Sequence, residues 1–239
     1  MDGTLVEWKD PTRGFEEVAF AQFAAVHRTL VALGKRPPDV QAFSSSLYTM
    51  AGEGWRKAMR DRRSYTVHHL LEQRLPEMGV ECSRAETSEC MAAFEALPIP
   101  IGATNGAKST LAALRSAGLR LGLISNSWST PSCRDQELRR AELLRFLDVR
   151  VYSSEMEVMK PHPAIFGRAL ASLGVDAREA VMVGDNLEMD VGGAQSVGMR
   201  GIWVDNRGGG LPDSAEVQPD GIIQRLPDLF NLLELWMRS

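Results

Sequence analysis

Three carboxylates, one ammonium and one hydroxyl stand beside short apolar runs in this chain. Asp2 precedes Gly3-Thr4-Leu5-Val6, Ser125 follows Leu123-Ile124, Lys160 precedes Pro161-His162-Pro163, and Asp185 and Asp190 lie in Gly184-Asp185-Asn186-Leu187-Glu188-Met189-Asp190. Groups at the ends of neighbouring parallel strands converge on one crevice. A phosphoryl dianion brought to such carboxylates would be repelled, so the site needs a divalent cation and a fixed positive side chain. Asp185 is the candidate ligand for Mg²⁺, a hard ion that prefers carboxylate and water oxygens, and Asp190 is expected to ligate it or to orient a coordinated water. Lys160 supplies a compact positive charge, and Ser125, Asn126 and the amides after them are placed to donate hydrogen bonds to phosphoryl oxygens. Taken singly, each group has a plain structural alternative: a chain terminus, a turn, a solvated lysine, a helix cap. The ordered set points to chemistry.

The elements that must position these groups fall into two kinds. Residues 12–97 are helical in pattern: Phe15, Ala19, Phe23, Val26, Leu30 and Leu33 form one apolar stripe, ended by Gly34 and Pro37-Pro38. A second helix is expected from near Asp39, a third through Trp55 and Met59, a fourth through Val67, Leu70 and Leu71, and a fifth through Cys90, Met91 and Phe94. After Pro98-Ile99-Pro100 helices and strands alternate. Helices are expected over 108–117, 135–146, 163–173, before Gly198 and over 226–237, with strands over 119–124, 149–152, 180–183 and 201–204 and an edge strand at Ile222-Ile223. This grammar predicts an α/β fold, a doubly wound parallel sheet of Rossmann-like type. Residues 1–11 and 101–239 form the core, and 12–100 are a helical insertion.

The four stretches, in this order, resemble the sequence motifs of the haloacid dehalogenase-like hydrolase superfamily. The resemblance spans the whole α/β part. It implies a magnesium-dependent hydrolase of small phosphate monoesters with an inserted helical cap, working through an aspartyl-phosphate intermediate. Asp2 is implied as general acid and base, its main-chain carbonyl as a metal ligand, Thr4 as the residue that shapes the first loop beside the phosphate, and Lys160 as the positive charge of the site. The family pattern begins Asp-x-Asp-Gly-Thr, and Met1 falls on x. The attacking aspartate is thus expected immediately before the first residue of this numbering, together with a central strand whose loss leaves two strand edges facing a gap. A start placed too late, inside Asp-Met-Asp-Gly-Thr, is the expected reason, and this form is expected to show almost no turnover.

Two other functions are compatible with the same motifs. One is a catalytically silent binder of phosphate or a phosphorylated metabolite. The other is a haloacid dehalogenase, against which Asp2 and Asp185 argue, because the dehalogenating branch usually lacks the second aspartate and needs no metal.

Composition narrows the field further. The net charge of -4 over 239 residues is too mild and of the wrong sign for a general nucleic-acid binder. No apolar run approaches bilayer length, and the start lacks a secretion signal, so a cytoplasmic protein, monomer or homodimer, is expected. Cys82, Cys90 and Cys133 show no paired spacing, and His27, His68, His69 and His162 show none suited to a metal. The stretch Gly102 to Ser109 imitates a phosphate-cradling loop, but Ala107 replaces the glycine before Lys108. Arg56, Arg60 and Arg63 are expected on one helical face, solvated or meeting an anionic substrate group.

Overall fold

The computed structural model describes residues 1–238. Four helices come after Asp10: α1 (Phe15–Ala32), α2 (Val40–Asp61), α3 (Val67–Glu77) and α4 (Arg84–Glu95). Three begin on side chains that satisfy the unpaired amides of a first turn. Asp39 accepts from the N–H groups of Gln41 and Ala42, Thr66 accepts from His69, and Ser83 and Glu86 form a reciprocal capping box. Their inward faces, among them Phe23, Leu30, Phe43, Leu47, Leu70 and Phe94, make a core of their own.

The structure departs from the sequence pattern here in three ways. The expected second and third helices are one, α2, which runs unbroken through Gly52 and Gly54. Gly54 serves packing rather than a break, since a Cβ there would stand 2.2 Å from the Tyr65 ring. The helix ends at Arg62 in left-handed conformation (φ 55°), so Arg63 leaves the face of Arg56 and Arg60 and bridges instead to Val158. Phe15 departs from the α1 stripe: it is 46% exposed and stacks on Trp128 outside the helical core.

The chain enters and leaves this helical part through a two-stranded antiparallel ribbon. In it β1 (Val6–Trp8) pairs with β2 (Ile101–Ala103), Val6 opposite Ala103. Residues ahead of β1 form a tight loop rather than a strand: the N–H groups of Thr4, Leu5 and Val6 all donate to the Met1 carbonyl, at 3.3, 2.8 and 3.1 Å.

The remainder alternates as expected, through α5 (Ala107–Ser116), β3 (Gly122–Ser125), α6 (Pro131–Arg140), β4 (Val149–Tyr152), α7 (Pro163–Leu173), β5 (Val181–Gly184), α8 (Gly193–Gln195), β6 (Arg200–Val204), β7 (Gly221–Ile223) and α9 (Leu229–Arg238). Helix α6 begins four residues before its expected start, because Thr130 caps it and Pro131 takes the first turn, where a missing N–H costs nothing. The expected helix before Gly198 is a π-helical turn, Leu187–Gly192, leading into α8.

All strand pairs in this part are parallel: β3 with β4, β5 with β6, and β6 with β7. The two groups are not hydrogen-bonded to each other. Between β3 and β5 lies a cavity of about 460 Å³ lined by Leu123, Ile124, Val181 and Val183 from the strands and by Leu111 and Phe166 from the flanking helices. Met1, Thr4 and Asp190 reach the same cavity. Two strand edges thus face a gap, as the sequence led us to expect. Among the described residues no helix is long and apolar enough to cross a membrane.

Candidate active site

Asp185 directly follows β5 and is fixed by its neighbours. The Thr4 hydroxyl donates to its Oδ1 at 2.7 Å, and the Trp203 indole N–H donates to its main-chain carbonyl at 3.0 Å. Gly3 makes this approach feasible: its φ is +76°, and a Cβ would stand 2.3 Å from Asp185 Oδ2. The motif glycine is therefore required twice over, by its backbone angle and by the carboxylate packed against it.

Lys160 and Asp190 form a buried ion pair, Nζ to Oδ1 at 2.5 Å. The Asn186 N–H donates to the other oxygen of Asp190 at 3.1 Å, so both oxygens of this carboxylate are engaged. Gly184 leaves room for it, since a Cβ there would lie 2.3 Å from Asp190 Cγ. The Lys160 main chain is held by Asn126, whose Oδ1 accepts its N–H at 2.8 Å and whose Nδ2 donates to its carbonyl at 3.1 Å. Asn126, expected beside the phosphate, has its amide occupied in fastening the lysine. Ser125 is buried at the end of β3, and its hydroxyl donates to the Asn126 carbonyl at 3.3 Å.

Asp2 is exposed and reaches the same region through a residue that the sequence did not single out. Arg134, on α6 and only 6% exposed, donates from Nη2 to Asp2 Oδ2 at 2.7 Å. Its Nη1 stands 2.6 Å from Glu137 Oε2. Burial pushes the Glu137 carboxyl up to about 7, outweighing the opposing pull of Arg134. The Met1 amine is buried beside these groups and is pushed below its ordinary value, first by burial and then by the charge of Lys160. Arg134 and Glu137 have i, i+3 spacing on a helix of polar composition, and nothing in that pattern distinguishes an inward arginine from a solvated one.

The donor set suits a hard cation in part. Among the described residues no three His, Cys, Asp or Glu side chains gather as a metal cluster. One carboxylate, Asp185, with a main-chain carbonyl and water is nevertheless the kind of set that Mg²⁺ accepts. Asp190, with both oxygens committed, is placed to support Lys160.

Above Asp2 a cavity of about 640 Å³ opens between α2 and the strand ends, with Trp8, Phe15, Trp55, Arg56, Trp128 and Arg134 among its lining residues. The helical part is tied to the core around it. The Val67 N–H donates to the Trp128 carbonyl at 3.0 Å, and Glu95 Oε1 accepts the Thr130 N–H at 2.7 Å.

Comparison with known proteins agrees with this architecture. The family model described as haloacid dehalogenase-like hydrolase matches residues 1–198. The chain belongs to that family. It is 42% identical over 98 residues to a glyceraldehyde 3-phosphate phosphatase of Pyrococcus abyssi, covering 41% of this chain and 40% of that protein. It is 37% identical over 124 residues to a phosphoserine phosphatase of Thermus thermophilus, covering 52% of this chain and 48% of that one. The chain spans about half the length, or less, of these curated relatives. Among solved structures, a 2-haloacid dehalogenase from Pseudomonas syringae aligns with TM-score 0.69 at 23% identity over 98% of this chain and 96% of that one. A HAD phosphatase from Thermococcus onnurineus aligns with TM-score 0.61 at 24% identity over 97% and 95%. At such identities the structural likeness speaks for the fold.

Proposed function

We propose that this site hydrolyses small phosphate monoesters with magnesium, through an aspartyl-phosphate intermediate, in a cytoplasmic setting, with helices α1–α4 acting as a cap. The observation that carries the reading is the pairing of two roles on adjoining segments. Asp2 is held toward the open cavity by Arg134, while Asp185, packed on Gly3, faces the same loop. A dehalogenase has no use for an acid at Asp2, whereas an ester's leaving oxygen must be protonated.

The reaction divides into two displacements. A carboxylate at the position before Met1, which these 239 residues do not include, attacks phosphorus and expels the alcohol oxygen, and Asp2 gives that oxygen its proton. Asp2 then takes a proton from the water that attacks the phosphorus of the acyl phosphate, which returns the carboxylate and releases inorganic phosphate. Lys160 offsets the charge of the nucleophile and of the phosphoryl group. Bound magnesium, held by Asp185 and the Asp2 carbonyl, would supply further neutralisation of that charge. Closure of α1–α4 over the strand ends excludes bulk water from the first displacement.

The buried Met1 amine beside Lys160 and Asp190 supports a second reading for the 239-residue form: it binds phosphate esters without turning them over. One experiment tests both. The chain is assayed against a panel of phosphorylated metabolites with and without magnesium, as it stands and extended N-terminally by an apolar strand ending in Asp. Magnesium-dependent turnover only in the extended form is expected, and an Asn in place of that Asp should abolish it. Robust turnover by the 239-residue form would overturn the mechanism.

A further inference from the structure

The cavity above Asp2 carries information about the leaving group, an inference that rests on the phosphatase reading. Its walls are aromatic and continuous. Trp8 meets Phe15 edge-on at 6.3 Å, Phe15 stacks on Trp128 at 5.8 Å with the planes 22° apart, and Trp128 meets Trp55 edge-on at 6.0 Å. Phe15, 46% exposed on the first turn of α1, lines this space and is not part of the helical core.

The polar groups of the lining divide unevenly. Asp2 is paired with Arg134, Glu7 with Lys9 and the Asn126 amide with Lys160, while the Tyr48 and Thr49 side chains of α2 also line the space. Among the described residues Arg56 makes no hydrogen bond or ion pair, and its guanidinium lies along α2 over Gly52, 3.4 Å from where a Cβ would be. The space therefore offers a run of aromatic rings and a free cation. A sugar or a glycolate would bury little apolar area against those rings. A flat ring would bury apolar area against the rings, and a substituent carrying negative charge would find Arg56.

We propose that the substrate is the phosphate monoester of an aromatic alcohol, with its phosphate toward Asp2 and an anionic substituent of the ring toward Arg56. The substrate class is thus set by α1, α2 and the loop after β3.

Calorimetric titration of the 239-residue protein in magnesium buffer tests this, using inorganic phosphate, glucose 6-phosphate, phenyl phosphate and 4-carboxyphenyl phosphate as probes. Phenyl phosphate is expected to bind about tenfold more tightly than glucose 6-phosphate. The carboxylate is expected to add a further gain of about threefold or more, which Arg56→Ala removes. Phe15→Ser, a change at a half-exposed position outside the helical core, should erase most of the aromatic preference while leaving the affinity for inorganic phosphate unchanged. Equal or tighter binding of glucose 6-phosphate, with inorganic phosphate still bound, would overturn the aromatic assignment alone. Failure of inorganic phosphate and all three esters to bind would overturn the phosphatase reading with it.

Discussion

Arg134 joins Asp2 to Glu137: one buried guanidinium stands 2.7 Å from the exposed carboxylate and 2.6 Å from the buried one. The arginine thus serves two purposes that mutation can separate. It orients the candidate general acid, and it offsets a carboxylate enclosed by α6 and its surroundings.

Arg134→Met is expected to destabilise the protein by about 1–3 kcal/mol, since it leaves the buried Glu137 carboxyl without a partner. In the N-terminally extended chain it should also lower kcat by at least about tenfold, because Asp2 loses its anchor. Adding Glu137→Leu should return most of the stability and none of the kcat. Denaturant titration and steady-state kinetics on the two variants check this. Recovery of kcat in the double variant would show that Arg134 acts only through folding.

The α/β part of the fold was legible because its signals are local. Gly174 ends α7 in the left-handed conformation, the apolar runs at 123–124 and 181–183 are strands, the first buried and the second half-buried, and Gly184-Asp185 marks a strand end. The geometry of the candidate site was legible where a motif fixes the backbone, as at Gly3 and Gly184. It was not legible where the geometry rests on contacts between distant positions. Asp2 and Arg134 are 132 residues apart, and Asn126 turns its amide to Lys160, 34 residues on. A polar helix such as α6 gives no sign of which arginine faces inward. The single helix α2 reads as two in the sequence, and within it Gly54 sits where a Cβ would meet the Tyr65 ring, a contact with a residue beyond the helix end.

Glu137 makes stability depend on pH. Its folded-state carboxyl titrates near 7 against an ordinary 4.5, with Arg134, Asp2, Arg140 and Glu95 as the charged groups facing it. The folded state holds this proton more tightly than the unfolded chain does. The contribution to stability is therefore fully present below pH 4.5 and is lost as pH rises through 7. The loss is at most about 3 kcal/mol. Glu137→Gln should flatten that part of the profile, and the difference between the two proteins measured by urea denaturation at pH 5 and pH 8 isolates it. A wild-type profile parallel to that of the variant would show that Glu137 does not titrate in this range.

Lys160 and Asp190 should behave as a unit. Among the described residues Lys160→Met leaves the buried Asp190 side chain with the Asn186 N–H as its hydrogen-bond donor, and a loss of about 3–5 kcal/mol is expected. Lys160→Arg should not restore activity, because a planar fork cannot take the place of an ammonium set 2.5 Å from Asp190. Thermal unfolding and the kinetics of the extended chain give the two readouts. Arginine variants with near-normal kcat would show that the site needs only a positive charge there.

The gap between β3 and β5 has the shape and lining of a place for a further strand. Leu123, Ile124, Val181 and Val183 line an apolar slot of about 460 Å³ with the edges of two parallel strands on either side. A parallel strand seated there would satisfy both edges and bury three or four apolar side chains at roughly 1.5 to 3 kcal/mol each. The sum, about 5 to 12 kcal/mol, is as large as the whole stability of a typical domain. An N-terminal extension of Val and Ile residues should therefore raise the midpoint of denaturant unfolding far more than an extension of equal length rich in Ser and Gly. Amide exchange at Leu123 and Met182 should slow in the same protein, because both strands would gain a neighbour. On the proposed mechanism the same seating would bring a carboxylate before Met1 toward Lys160, so stability and turnover should rise together along a series of extensions. An apolar extension that left both the unfolding midpoint and the exchange rates unchanged would show that the slot closes by itself and that the two halves of the sheet need no third strand.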